Sequence, residues 1–147
     1  MSSSSLDIVI GAGSAIGRAL IERWSGECAR PILAVARSAD TLAVIEQLGV
    51  QTHQCDYSEA ALAAVAIQLQ EQSADISRLV ICNGVLQGEG YRPERALNQL
   101  KTSAMEQVFE VNTFLPMHVL ASLTPVIKRS TEPRIAVLSA RVGSIGD

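Results

Sequence analysis

The chain has 147 residues, 48% hydrophobic and 18% charged, and its 12 basic and 15 acidic side chains leave a formal net charge of -3. The length fits one domain whose core needs neither metal nor disulfide, and the apolar fraction excludes a disordered, collagenous or rod-like chain. The acidic balance argues against the basic face that a nucleic-acid surface requires.

Three cysteines, Cys28, Cys55 and Cys82, are odd in number and irregularly spaced. They point to a reducing compartment rather than a disulfide framework. His53 and His118 lie far apart and have no metal-ligand spacing, so they read as strand-end or helix-face residues and no metal is expected. Residues 1–5 (Met-Ser-Ser-Ser-Ser) lack the basic and apolar regions of a signal peptide and are expected to form a disordered tip. No apolar run is long enough to span a bilayer, so no membrane partner is expected and a cytoplasmic location is.

In chain order, Leu6–Ile10 is a short apolar run ending at Gly11 and reads as a buried strand. Ala15 to about Cys28 places Ile16, Ala19, Leu20 and Trp24 at helical spacing. Pro31–Ala36 is a second strand. Asp40–Leu48 is helical, with Gly49 as its C-cap. Val50–Cys55 is a weak third strand. Ser58 can cap an Ala/Leu/Gln-rich helix running to about Gln72. Arg78–Cys82 is a fourth strand, followed by a loop over Val85–Pro93. Thr102–Arg129 is a long helical pattern with Pro116 inside it, which predicts a kink near residues 112–116. Arg134–Ser139 is a fifth strand.

Strands and helices alternate with short connections, which predicts an α/β fold with a parallel sheet covered on both faces. The expected architecture is a Rossmann-like doubly wound sheet of about five strands in order 3-2-1-4-5, spanning residues 6–147.

The segment Gly11-Ala12-Gly13-Ser14-Ala15-Ile16-Gly17 sits between the first strand and the first helix. Glycines there let the backbone turn tightly and approach a pyrophosphate, and the helix N-terminus offers unpaired amides to it. Gly17 would let the helix pack close to the sheet. The alternative is a structural turn of another α/β protein. Dinucleotide sites for NAD carry an acidic residue after the second strand. Here Ala36 is followed by Arg37 and Ser38, and an arginine can pair a 2′-phosphate, which favours NADP(H) over NAD(H). The other reading of Arg37 is an exposed turn residue. Arg18 reads as a solvent-facing helix residue.

With the glycine loop, Asp56, Asn83-Gly84 and Asn112 in this order, the chain resembles the short-chain dehydrogenase/reductase family over about residues 6–147. Pro93-Glu94, Val111-Asn112-Thr113 and the stretch from Leu138 to Asp147 are similar to its C-factor, or cell-cell signalling, branch. The resemblance implies hydride transfer between NADP(H) and a small-molecule carbonyl or alcohol. It implies that Gly11, Ser14, Ile16 and Gly17 form the phosphate loop, with Ala15 where the family has glycine. Asp56, followed by Tyr57, would accept from the adenine amine, or Asp56 would simply cap a helix. Asn83 and Gly84 stand in for Asn-Asn-Ala-Gly and would pass close to the adenosine ribose.

Asn112 occupies the place of the family's active-site Asn, which helps to hold a water in a proton relay. Between Val111 and Phe114 it is expected to be a buried polar residue; the alternative is that it satisfies backbone groups freed by Pro116. Ser139, with Ser144 as substitute, is the candidate for the substrate-orienting Ser, although a backbone-bonded strand-end serine fits equally.

The family's Tyr-x-x-x-Lys is not found: Tyr57 is followed by Ala61 and Tyr91 by Arg95. The chain is therefore expected to be the cofactor-binding part of an oxidoreductase domain, incomplete on its C-terminal side and inactive alone. The other expectation is a non-catalytic dinucleotide sensor or C-factor-like signalling protein. An open edge at strand five or its neighbour and an apolar stripe including Val108, Phe109, Leu115 and Val119 predict either a fragment of a longer protein or a homo-oligomer that buries this face through the long helix 102–129.

Overall fold

A computed structural model of the chain describes residues 5–27 and 30–139. Five strands, β1 (Ser5–Ile10), β2 (Ile32–Ala36), β3 (Gln51–Gln54), β4 (Asp75–Ile81) and β5 (Arg134–Val137), form one sheet in the order β3-β2-β1-β4-β5. All four pairings are parallel, as the alternation of strands and helices predicted. The helices are α1 (Ala15–Glu27), α2 (Ala39–Glu46), α3 (Glu59–Glu71), α4 (Thr102–Phe109) and α5 (Leu115–Arg129). β1 begins at Ser5, which the sequence assigned to the N-terminal tip; residues 1–4 lie outside the described residues.

The two-residue period of the strands divides the core into two layers. Leu6, Ile8 and Ile10 of β1 join Leu33 and Val35 of β2 and Ile76, Leu79 and Ile81 of β4 against α3 and α5. Val9, Ala34, Ala36, Val80 and Cys82 face the other way, onto Ile21 and Trp24 of α1 and Leu42 and Ile45 of α2. Strands buried on both faces read as continuous apolar runs, which is why β1 and β2 were legible.

β4 starts three residues earlier than Arg78, because a bulge is needed to fit it. The β1–β4 register runs Leu6↔Ile76 and then Asp7↔Arg78. Without the extra residue, Arg78 would share a face with Ile76 in the apolar layer. With it, Arg78 turns to the α1 face beside Asp7 and Leu79 takes the core position. The Arg78 guanidinium bonds the Asp7 carboxylate, Arg30 Nε lies 3.4 Å from the same oxygen, and Arg78 stacks over the Trp24 ring at 3.9 Å. Asp7 is wholly buried, so this pairing is what makes its charge tolerable.

The long helical pattern is broken where expected, by a different device. A π-helical turn spans Glu110–Phe114 between α4 and α5. Inserted residues of this kind kink helices and recur at functional sites. Pro116 follows directly on this π-helical turn, as the second residue of α5. The predicted apolar stripe is corrected at Val119, which is fully buried against α3 and the sheet. Phe109 is half exposed, and Met105, Phe114 and Met117 share that exposure. β5 is exposed along its whole length, with Ile135 and Val137 open to solvent.

Removing one partner of a buried ion pair strands the other charge. Arg78→Leu is therefore expected to lower stability by about 3 kcal/mol in urea denaturation. The double variant Asp7→Leu/Arg78→Leu is expected to recover most of that loss; equal loss in both would contradict this pairing.

Candidate functional site

The chain crosses from one side of β1 to the other between β3 and β4, so the carboxyl ends of β1 and β4 diverge there and leave a cleft, the usual ligand position in this topology. The cleft has a volume of about 320 Å³. Its base is Gly11, Gly13 and Ser14, one wall is Ala36, Arg37, Ser38 and Thr41, and the other is Cys82, Asn83, Gly84 and Val85 with Val111; Tyr57 also lines it. A second cleft, of about 410 Å³, lies at the opposite ends of the strands, where Arg30 and Arg78 are engaged by Asp7.

Gly11 ends β1 with φ +78, and a Cβ there would stand 2.8 Å from Asn83 N and 2.9 Å from Asn83 Oδ1. Only glycine satisfies both the conformation and the contact. Its N–H is shared between Val35 O at 3.0 Å and the Tyr57 hydroxyl at 3.2 Å, and Ala12 N also donates to Val35 O. Ser14 caps the first turn of α1: its hydroxyl accepts from Gly17 N at 3.0 Å. A Cβ at Gly17 would meet Gly11 O at 2.6 Å, so Gly17 lets α1 pack onto the glycine loop itself. Gly13 is exposed on the cleft base, close to the Thr41 side chain. Ala15 and Ile16 are exposed and outside the cleft walls, but their amides open the first turn, where no residue of the helix precedes them to accept.

On the β2 side, Arg37 is exposed and its carbonyl is fixed by Gln54 Nε2 at 3.0 Å. Ser38 caps α2 by accepting from Thr41 N. Past β3, Asp56 is exposed and its Oδ1 accepts from Ser58 N at 2.9 Å. Ser58 is itself the N-cap of α3, so Asp56 orients the cap rather than forming it. The Ser58 hydroxyl, and then its N–H, hold the Asp56 carboxyl below its ordinary pKa. Tyr57 has φ 67, a left-handed conformation that costs a tyrosine about 1 kcal/mol or more and must be held by its surroundings.

On the β4 side, the buried Asn83 Oδ1 has no hydrogen-bond partner among the described residues. Asn112 is exposed, not buried as expected, because the π-helical turn carries it to the surface of the β4 loop. There its amide clamps one residue twice: Nδ2 donates to Val85 O at 2.7 Å and Oδ1 accepts from Val85 N at 2.8 Å. The backbone groups it satisfies are those of Val85, not those freed by Pro116. Ser139 is exposed just past β5 and off the cleft walls. Ser144, and nearly all of the stretch from Leu138 to Asp147, lie outside the described residues, as does Cys28. Cys55 and Cys82 are buried free thiols.

Thr41, Gln54, Cys82, Val85 and Val111 were not singled out from the sequence. The first follows from the Ser38 cap, which aims the opening turn of α2 at the glycine loop. The others carry no local signal, since they reach the site through sheet register and the helix kink. Among the described residues no cluster of His, Cys, Asp and Glu could hold a metal ion, and no helix is long and apolar enough to cross a membrane.

Residues 7–146 match the family described as short chain dehydrogenase. None of the curated proteins matches the chain. Among solved structures, it is similar to a short chain dehydrogenase/reductase from Saccharomyces cerevisiae, with TM-score 0.81 and 18% identity over 96% of this chain and 55% of that one. It is similar to the bulky-bulky ketone specific alcohol dehydrogenase from Comamonas testosteroni, with TM-score 0.75 and 22% identity over 95% of this chain and 56% of that one. It is also similar to serine dehydrogenase from Escherichia coli, with TM-score 0.77 and 16% identity over 94% of this chain and 63% of that one. At these identities the likeness carries the fold alone, and the chain spans less than two thirds of each structure's length.

Burial raises the thiols of Cys55 and Cys82 and the Tyr57 hydroxyl above their ordinary values, against the opposing pull of their hydrogen bonds. The unfolded chain therefore ionises first on alkaline titration. The stability these groups contribute is complete below about pH 9 and is lost as the pH rises through their higher folded values. Urea midpoints are expected to hold level up to about pH 9 and then fall, and Cys82→Ala is expected to flatten the first part of that fall. A midpoint that rises above that pH would contradict the burial of these groups.

Proposed function

The chain belongs to the short chain dehydrogenase family, and from that premise we propose that it forms the dinucleotide-binding portion of an NADP-dependent oxidoreductase acting on a small carbonyl or alcohol. The observation that carries the reading is the cleft base. Gly11 and Gly13 present bare backbone beside the first turn of α1, between the Arg37 wall and the buried Asn83 Oδ1, which has no partner among the described residues. An orphaned buried acceptor costs about 1–3 kcal/mol, and a ligand hydroxyl or amine would satisfy it.

In this reading Gly11, Gly13 and Ser14, with the amides of Ala15 and Ile16, hold the pyrophosphate, and Gly17 keeps α1 close enough to do so. Arg37 and Ser38 hold the 2′-phosphate. Tyr57, which lines the cleft, and Asp56, exposed beside it and off the cleft walls, face the adenine end, and Asn83 and Gly84 take the ribose. The nicotinamide, when bound, supplies or accepts the hydride. Asn112 holds the Val85 loop at the edge of the cleft, and Ser139 (or Ser144) remains the substrate-orienting candidate. Residues 1–147 contain no Tyr-x-x-x-Lys, so in this reading they bind cofactor without turning substrate over. The exposed Met105, Phe109, Phe114 and Met117 support a homo-oligomer through α4 and α5. The free thiols of Cys55 and Cys82 support a cytoplasmic setting.

Fluorescence titration tests the cofactor choice. The unmodified protein is expected to bind NADPH more tightly than NADH. Arg37→Ala is expected to weaken NADPH by about 10- to 100-fold, the worth of a charge-assisted pair, and to leave NADH nearly unchanged. Equal affinity for the two cofactors in the unmodified protein would overturn the NADP assignment.

A further inference from the structure

We propose that Tyr57 is a positioning residue whose hydroxyl couples the adenine end of the cleft to the glycine loop. The inference rests on the dinucleotide reading above and adds to it a role the tyrosine exerts through protein bonds. The Tyr57 hydroxyl accepts from Gly11 N at 3.2 Å and donates to Val35 O at 3.2 Å. These partners lie 46 and 22 residues away in sequence. Val35 O in turn accepts from Gly11 N and Ala12 N, both at 3.0 Å. The Asn83 side chain adjoins the same hydroxyl. One oxygen thus ties together the carboxyl ends of β1 and β2 from a loop that follows β3.

The backbone supports this assignment. Tyr57 is held at φ 67, and its N–H donates to the Cys55 thiol at 3.3 Å. A bulky residue in that conformation is uncommon and persists where its surroundings over-determine it. The glycine loop has the opposite need. Gly11 and Gly13 have no side chains of their own to fix them, so their conformational freedom must be removed from outside before an anion can be gripped without an ordering cost. Tyr57 and Val35 hold the Gly11 amide in place. A ring that merely filled space would do so equally well as phenylalanine, so the hydroxyl separates the two roles.

The test compares the unmodified protein with Tyr57→Phe, which keeps the ring. NADPH is expected to bind about 5- to 10-fold more weakly to the variant, the worth of a lost neutral hydrogen bond. Adenosine 2′-monophosphate lacks the pyrophosphate and is expected to bind both proteins within about two-fold. Without any cofactor, the Gly11 and Ala12 amides are expected to exchange with solvent several-fold faster in the variant. Unchanged NADPH affinity together with unchanged amide exchange would overturn the proposal. So would an equal loss for the monophosphate, which would make Tyr57 a contact residue only. If the unmodified protein binds neither ligand, the dinucleotide reading fails, and amide exchange still decides whether Tyr57 holds the loop.

Discussion

The cleft and the packing of α1 both depend on how closely the backbone at Gly11 is enclosed. β1 is the central strand, with β2 on one side and β4 on the other. At its end there is no room for a Cβ, which would stand 2.8 Å from Asn83 N. The chain turns there with φ +78, and α1 then starts so close that Gly17 also has no room for a side chain. A Cβ at Gly11 would displace Asn83, and a Cβ at Gly17 would push α1 outward, and with it Ile21 and Trp24, which seal that face of the sheet. The same crowding that compacts the core leaves bare backbone and the opening amides of α1 facing a cleft. In the proposed reading, the pyrophosphate is held by this packed backbone rather than by a dedicated side chain.

The two ends of the sheet divide the work. At the carboxyl ends, Asn83 Oδ1 is buried without a partner among the described residues and Arg37 is exposed beside the glycine loop. At the amino ends, polar groups are bonded to one another: a single bulge brings Arg78 to Asp7 and Trp24, and Ser5 and Thr131 bond the Asp75 carboxylate, while Asp7 Oδ1 has no partner among the described residues. The Asp7–Arg78 pair fixes the register of β4 against β1.

Much of this was legible in the sequence, for physical reasons. The apolar runs of β1 and β2 require burial on both faces, Ser58 and Gly49 have the cap and turn chemistry of helix ends, and the glycine loop falls between a strand and a helix. The strand order 3-2-1-4-5 followed from that alternation. What could not be read depends on distant partners. The start of β4 was obscured because Asp75-Ile76-Ser77 has no strand pattern until the bulge is known. Asn112 was expected inside the protein because its apolar neighbours suggested a buried helix face, whereas the π-helical turn rotates it outward onto Val85. Val119 was expected on the surface because nothing local distinguishes it from Phe109. The Tyr57 hydroxyl reaches partners that only the sheet order brings near.

An amide-resolved NMR titration of the protein with NADPH tests most directly whether the cleft at the carboxyl ends of β1 and β4 is the dinucleotide site. The largest shifts are expected on Gly11, Gly13, Ala15, Ile16, Arg37, Ser38, Asn83 and Gly84. Shifts concentrated instead around Arg30, Asp75 and Arg134 at the other end of the sheet, or none at saturating cofactor, would contradict it.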